Sequence, residues 1–507
     1  MSRLNPETFL WPAHAGERTA LARHTLHALV IGGGIAGVSA ARSLCERGAR
    51  VTLLEREAAL GGRAGGFSKT LATGERVEME RGFHAFFRQY YNLRALLRRI
   101  DPLLSMLTPL PDYPILGPEG MLQSFADLPT RPPFQVMALA WRTPYLRARD
   151  LPRVGARTAL EMLRYDPERT YARWDTTSAA AYLDSLAFPE TARRMLFDVF
   201  SHSFFNPESE LSAAELLMMF HFYFLGNPEG LVFDVANQPL RAAIWRPFED
   251  WLRGHEVAVE LGSAAQRIER KPGGGYVVHA GQHRHEADVL VLALDVGALQ
   301  SLLDASPDLA ELHAACRSLR PTRAFAVWRL WLDRQARADR APFAGTTGIG
   351  LLDNISVYER LQGESARWSA EHGGSVIELH AYAVPPGLDE AAIRADLLAG
   401  LHAFYPELRG AQVRDEVFLL RDDCPAFDVG SFRERPNAET GSDDLALAGD
   451  YVSVPMPCAL MERATVSGVL AANRLLAKHG VRPEPLRSVP SRGLLAVPRW
   501  RRGRHAA

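Results

Sequence analysis

Lysine is nearly missing from this chain: Lys69, Lys271 and Lys478 stand against 55 arginines, a bias that fits genomic base composition better than function. Cysteine is scarce too. Cys45, Cys316, Cys424 and Cys458 show neither CxxC nor metal-ligand spacing, which argues against a disulfide scaffold and against a zinc site. Cys45 shares a helical face with Val38, Ala41 and Leu44 and reads as a small core residue. No stretch approaches the roughly 18 continuous apolar residues of a membrane-spanning helix. The first 26 residues carry Glu7, Glu17 and Pro12 without an apolar run, so no secretory signal is expected and a cytoplasmic location is. Charge of either sign is not in excess: 58 basic against 59 acidic residues give a formal net charge of −1, so no nucleic-acid partner is expected. No Ser/His/Asp or metal constellation is legible, and no metal is expected. At 507 residues, 47% hydrophobic and 23% charged, the chain has the composition of an ordinary globular protein with core enough for two or three domains.

Against these absences stands His27–Arg56, HALVIGGGIAGVSAARSLCERGARVTLLER. An apolar run (Leu29–Ile31) leads into Gly32, Gly34 and Gly37, then an amphipathic segment, a second apolar run (Val51–Leu54) and Glu55. This strand, glycine turn, helix, strand and acid form the cradle of a nucleotide pyrophosphate. Gly32 permits the tight turn, Gly34 removes a side chain in the way of the phosphates, and Gly37 lets helix and strand approach. The helix N-terminus offers free N–H groups and partial positive charge. Glu55, 18 residues after Gly37, is placed to accept from ribose hydroxyls.

A second glycine-rich stretch follows at Leu60–Gly66 (LGGRAGG), and from Glu80 an aromatic-dense turn runs into an Arg-rich helix. Residues 107–152 hold many prolines and no sustained period, and read as an irregular excursion; residues 156–226 read as largely helical. Ser212 and Glu215 have capping-box spacing. The run Leu216–Leu225 (LLMMFHFYFL) is apolar on nearly every face, so it belongs to the core or lines an apolar tunnel. Val257–Leu261 and Val289–Leu294 read as strands, with a hairpin turn at Gly273–Gly275. Phe325–Leu332 and Ser375–Tyr382 alternate as half-buried antiparallel strands do. Leu445–Ala448 is a further apolar run closed by Gly449-Asp450, and Thr465–Leu476 reads as a final long helix.

These motifs together resemble the flavoprotein superfamily of amine oxidases and carotene desaturases over nearly the whole chain. The resemblance rests on GGGIAG with Glu55, on LGGRAGG and on LALAGD (Leu445–Asp450). It implies an α/β fold: a Rossmann-like FAD-binding domain of the GR2/amine-oxidase type with an inserted mixed α+β substrate domain. The expected division is an N-terminal extension (1–26), a discontinuous FAD-binding domain (27–105, 250–300 and 420–478), a substrate- and membrane-facing domain (106–249 and 301–419) and a basic tail (479–507). FAD is the implied cofactor, since a long extended dinucleotide needs contacts from distant segments, whereas NAD needs only the first. Arg63 resembles the family's phosphate-region arginine, Asp450 its ribityl or pyrophosphate aspartate, and Ala265 stands where a valine usually meets the adenine. Ile35, Ala36, Arg56, Gly62, Gly82, Phe83, His84, Gly449 and Met461 complete the implied cofactor-contacting set.

Within that superfamily RGFHAFFRQYYNL (Arg81–Leu93), Asp112-Tyr113-Pro114, SFADLPTRPP (Ser124–Pro133) and PMPCALMERAT (Pro455–Thr465) are similar to the bacterial isorenieratene synthases. The resemblance implies an FAD-dependent oxidoreductase that turns a carotene β-ionone ring aromatic: two hydrogen pairs leave and one geminal methyl migrates, by hydride transfer to flavin. A linear-polyene desaturase and a non-catalytic FAD- or carotenoid-binding protein stay open as alternatives. A hydrophobic carotenoid substrate, a membrane surface (peripheral, at the cytoplasmic membrane) and quinone or oxygen as electron acceptor are the implied partners.

Catalytic candidates are few. His84 is the one polar group in Phe83–Phe87, suited to orienting flavin, taking a proton, or merely holding the turn. Glu462 and Arg463 read either as an ion pair fixing the helix start or as charges tuning the cofactor, and His221 as core. Trp141–Tyr165, with six Arg, two acids, two Tyr and one Trp, fits an interfacial helix or a solvated lid. Val481–Ala507, with seven Arg and one acid, reads as a mobile basic tail.

Overall fold

A computed structural model describes residues 5–12, 16–147, 150 and 156–496. β1 (His27–Ile31), α1 (Ile35–Cys45) and β2 (Arg50–Glu55) form the expected unit. β3 (Ala258–Leu261), β4 (Val289–Leu292) and β5 (Leu445–Leu447) complete a five-stranded, all-parallel sheet of order β3-β2-β1-β4-β5. Sheets of this kind are covered on both faces, which is why their strands read as continuous apolar runs. Ala28, Leu29, Leu290 and Ala446 are fully buried. α2 (Leu460–Ala477) lies directly against α1, and Gly468 is the point of contact: a Cβ there would stand 2.2 Å from the carbonyl oxygen of Ala36.

The second region is a seven-stranded mixed sheet. Its order is Val413–Arg421, Phe325–Leu332, Ser375–Ala381, Asn354–Val357, Phe343–Thr346, Ile115–Leu116, Leu122–Gln123. Phe325–Leu332 and Ser375–Ala381 do alternate, but not because one face is wet: every residue of both strands is buried. Ala326, Leu330, Ile377 and Leu379 pack into a small separate core with Ile393, Leu397 and Leu401 of helix Glu390–Phe404. The opposite face turns its polar residues inward, where Arg329 pairs with Glu378 across the two strands.

Several expectations change. The excursion 107–152 is not structureless: it supplies Leu107–Leu110 to a three-stranded sheet, two short strands to the seven-stranded sheet, and helix Phe134–Arg142. Trp141 therefore ends one helix rather than opening another; residues 148–149 and 151–155 of the expected interfacial segment lie outside the described residues. The final helix begins five residues earlier than periodicity places it, at Leu460. The basic tail is docked as far as it is described: Leu486–Ser488 pairs with Glu7–Phe9, and Glu484 accepts from Arg42 and Ser43 of α1. Residues 497–507 lie outside the described residues. Cys45 is half-buried, and none of the four cysteines is bridged.

Candidate active site

One cavity of about 870 Å³ runs from the glycine turn of the parallel sheet to the inner face of the seven-stranded sheet. That is the large end of the ~300–1,000 Å³ range of small-molecule sites. Its floor is built by the first turn of α1. Gly32 sits at φ +105°, and a Cβ on it would meet the Ala293 carbonyl at 2.2 Å. Gly37 does not line the cavity; it presses on Gly32, whose carbonyl oxygen would lie 1.8 Å from an added Cβ. Gly34, at the N-cap, has no side-chain partner closing the helix end. Gly32 N is spent on Leu54 O and Gly33 N on Glu55, while the uncapped first turn of the helix, Gly34 to Ala36, lines the cavity, an arrangement suited to a phosphate.

Glu55 ends β2 beside that turn. Its Oε2 accepts from Gly33 N at 2.6 Å and its Oε1 from Glu57 N at 2.8 Å, so the carboxylate is fixed and keeps lone pairs for hydroxyls. Ser263 N donates to the Glu55 carbonyl, which brings Ala265 onto the same wall. The second glycine stretch docks on the first: Gly61 N donates to Gly33 O, and Trp245 Nε1 donates to Ala64 O at 2.7 Å. Arg63 then reaches Asp450 at 2.5 Å, and Gly449 N is held by Ser467 Oγ. Burial alone would lower the Arg63 pKa, but Asp450 holds it raised. Gly32, Gly34, Ile35, Ala36, Glu55, Arg56, Gly62, Arg63, Gly82, Phe83, His84, Ala265, Gly449, Asp450 and Met461 all line this one cavity. An uncapped helix end, an acid and an Arg–Asp pair, spread along a cleft, suit an extended dinucleotide such as FAD.

Beyond the glycine turns the wall becomes aromatic. Phe83 stacks on Phe343 with centroids 4.3 Å apart and meets Phe233 edge-on. Phe87, Tyr113, Phe204, Phe205 and Phe325 continue the lining. Of the aromatic cluster seen in sequence, Phe86 and Tyr91 turn away from the cavity. The helix carrying LLMMFHFYFL is wholly buried and stands behind the wall: Tyr223 bonds Tyr90, which does line it. It is core, not tunnel.

His84 Nδ1 donates to the Gly82 carbonyl at 2.7 Å, and burial pushes the imidazole down to about 4. It is a neutral group in the cavity wall at neutral pH. Glu462 and Arg463 do not pair with each other and do not line the cavity. Glu462 accepts from Asn92 N and Leu93 N, both at 2.9 Å, and so closes the N-terminus of helix Tyr91–Leu97; burial pushes it up to about 7. Arg463 bonds Glu215 and the carbonyls of Cys458 and Asp450. Glu215 in turn is no capping-box acid: Ser212 N donates to Phe427 O, while Glu215 takes Arg463, Arg435 and Tyr171. His221 donates from Nε2 to Pro490 O and stacks on Tyr165, a core histidine.

His380 and Tyr382 also line the cavity, and nothing in the linear sequence singles them out. The alternation in Ser375–Tyr382 marks a strand but does not say that its polar half faces a cavity.

The parallel sheet, the split dinucleotide cleft and the aromatic second compartment define an oxidoreductase of the FAD-binding class. The family model described as flavin containing amine oxidoreductase matches residues 35–476, and the chain belongs to that family. It is an FAD-dependent oxidoreductase. A carotenoid phi-ring synthase of Streptomyces griseus is 48% identical over 470 residues, 92% of this chain and 91% of that protein. A carotenoid phi-ring synthase of Chlorobaculum tepidum is 29% identical, again over 92% of this chain and 91% of that protein. The cyclohexylamine oxidase of Brevibacterium oxydans IH-35A shares the fold, with TM-score 0.62 at 16% identity, covering 90% of this chain and 99% of that one.

Arg63→Ala removes the partner of Asp450. A charge-assisted hydrogen bond contributes about 1.5–3 kcal/mol, so flavin affinity is expected to fall roughly ten- to hundredfold. Flavin released per mole of purified protein, read by visible absorbance, checks this.

Proposed function

We propose that the protein converts the β-ionone end rings of a carotene such as β-carotene into aromatic rings with migration of one methyl, as an isorenieratene-synthase-like enzyme. The carrying observation is the aromatic compartment itself: Phe83, Phe87, Phe205, Phe233 and Phe343 close around space continuous with the glycine turns. Apolar burial contributes about 25 cal/mol per Å², so a tetraterpene end group needs area and few polar contacts. The relatives named carotenoid phi-ring synthase support the same reading. Bound FAD supplies the two-electron acceptor for hydride, with quinone or oxygen as the final oxidant. The chain's residues exclude water, orient the ring and tolerate positive charge. Aromatic faces stabilise a cation, and His84 adds no competing charge at neutral pH. Co-expression with a β-carotene pathway is expected to yield pigment lighter by four hydrogens per ring with methyl-shifted aromatic ends. Unchanged β-carotene, with a linear precursor desaturated instead, would overturn this reading; mass and absorption spectra decide.

The substrate lives in lipid, and the protein is proposed to collect it as a peripheral protein at the cytoplasmic membrane. No helix of the described residues is long and apolar enough to cross a membrane. Helix Phe134–Arg142 leaves Phe134 (60%), Met137 (60%) and Trp141 (90%) exposed, at positions that share one helical face. Exposed Arg131, Arg142 and Arg147 flank them, the composition of an interfacial helix. Tyr113, from the same excursion, reaches the cavity wall and stacks on Phe125. Burying three such side chains contributes about 1.5–3 kcal/mol each, so serine at all three positions should lower partitioning onto anionic vesicles at least hundredfold. Co-sedimentation of the flavin-loaded protein measures it.

A further inference from the structure

We propose that Tyr382 is the proton acceptor for the ring cation, with His380 as the store for that proton and Glu378 as its positioning residue. This rests on the aromatisation reading above. Glu378 and His380 share the inward face of strand Ser375–Ala381, opposite Ile377, Leu379 and Ala381, and Tyr382 follows directly after the strand. Glu378 Oε2 takes Arg329 Nε at 2.8 Å, and its Oε1 lies 2.7 Å from His380 Nε2. Burial would raise the Glu378 carboxyl, but Arg329 and the His380 bond hold it down at about 2. An ionised carboxylate only accepts, so we place the His380 proton on Nε2, toward Glu378 at 2.7 Å rather than leaving Nε2 to accept from Phe83 N at 3.3 Å, and Nδ1 then presents its lone pair. Tyr382 Oη lies 3.1 Å from that Nδ1 and donates to it, while Asn354 Nδ2 donates to the same oxygen at 2.8 Å. With that tautomer the chain runs from the cavity to His380.

Both Tyr382 and His380 line the cavity. An apolar sheet face of the same volume often costs less to bury than an ion pair, so Arg329–Glu378 behind the cavity points to a use in the reaction. The chemistry asks for a relay of this kind. Bound FAD would supply the hydride acceptor; a C–H bond beside the ring cation then breaks and its electron pair becomes the ring double bond. The proton adds to a lone pair on Tyr382 Oη as the original phenolic proton passes to His380 Nδ1. Tyr382 ends neutral, and the imidazolium rests on ionised Glu378 until it returns its proton to solvent. Each aromatisation removes two hydrides and two protons, so the relay works twice. A phenol also suits the place better than a carboxylate, which would capture the cation covalently. Among the described residues His84 has one hydrogen bond, to the Gly82 carbonyl, and Glu378 acts on it without bonding it.

Tyr382→Phe removes one oxygen, and His380→Gln breaks the relay one step further on. With flavin content and melting temperature near those of the parent, each is expected to bleach flavin anaerobically with β-carotene within a few-fold of the parent rate. Aromatic product should nevertheless fall at least tenfold in favour of carotenoids with non-aromatic rings. In ¹⁵N-histidine-labelled protein the His380 Nδ1 resonance should move in Tyr382→Phe, independently of turnover. An unmoved resonance, or aromatic product at parental yield in both variants, overturns the relay while leaving the aromatisation reading intact. A parent enzyme that makes no aromatic product overturns both.

Discussion

Alanine in place of Glu215 is expected to give protein that purifies without flavin and melts far below the parent. Glu215 is 1% exposed and is the shared anion for two buried guanidiniums, Arg463 and Arg435, while Tyr171 donates to it as well. Truncating one partner of a buried ionic cluster costs about 3–5 kcal/mol, a large share of a typical total stability of about 5–15 kcal/mol. The flavin site feels the loss because Arg463 also donates to the Asp450 carbonyl, at 3.4 Å, and Asp450 is the partner of Arg63 in the cavity. The same group sets an acid limit. Burial alone would raise the Glu215 carboxyl, but Arg463 and Arg435 outweigh it and hold it at about 2, below the ordinary 4.5. Between those values the unfolded chain binds the proton and the folded chain does not. The stabilisation, roughly 3 kcal/mol, is therefore complete above pH ~4.5 and is lost as pH falls toward 2. Glu378, held at about 2 by Arg329 and His380 against its burial, loses its contribution over the same window. Melting curves recorded from pH 6 downward should fall less steeply in Glu215→Gln than in the parent, from a lower starting point.

Glu215 also illustrates what the sequence could and could not say. Ser212 is the N-cap of helix Ala213–Phe220, as its spacing with Glu215 suggests, yet the acid is spent on arginines that are 220 and 248 residues away. Glu462 and Arg463 look like a pair because they are adjacent. On a helix, consecutive side chains point about 100° apart, so one meets Asn92 and Leu93 and the other Glu215. The dinucleotide end of the site was legible because it is made by backbone. A turn that leaves 1.8 Å to a Cβ at position 37 admits only glycine, and the motif survives in one dimension. The aromatic end was half legible. Phe83 and Phe87 stand in a conspicuous run, but Phe205, Phe233, Phe343 and Tyr382 are far apart in the chain and become neighbours only in the folded structure. Strands as short as Ile115–Leu116 and Leu122–Gln123 are below the length at which a period of two can be recognised.

Gly468 offers the sharpest contest between local propensity and packing. It sits inside the 18-residue helix α2, where replacement of glycine by alanine ordinarily stabilises by about 1 kcal/mol. Here an added Cβ would stand 2.2 Å from the carbonyl oxygen of Ala36 and 2.9 Å from Cβ of Ser39, both on α1. Neither is the loose end of a flexible chain, so α1 must move away from α2. The first turn of α1 is also the cavity floor, with Ile35 and Ala36 in its lining and Gly37 pressed against the Gly32 carbonyl on its other side. A displaced α1 thus disturbs the helix end that would receive the cofactor's phosphates. Overpacking of a core costs about 1–3 kcal/mol and sometimes more, which reverses the sign that propensity gives. Gly468→Ala should lower the melting temperature and the flavin content together, and Gly468→Leu should yield no flavin-loaded protein. Gly254, at the end of helix Arg246–Gly254 with nothing within 4 Å of its Cβ position, is the control. Gly254→Ala should leave both quantities unchanged or slightly raised. If Gly468→Ala behaves like Gly254→Ala, the two helices do not meet backbone to backbone, and the account of how the floor of the site is held is wrong.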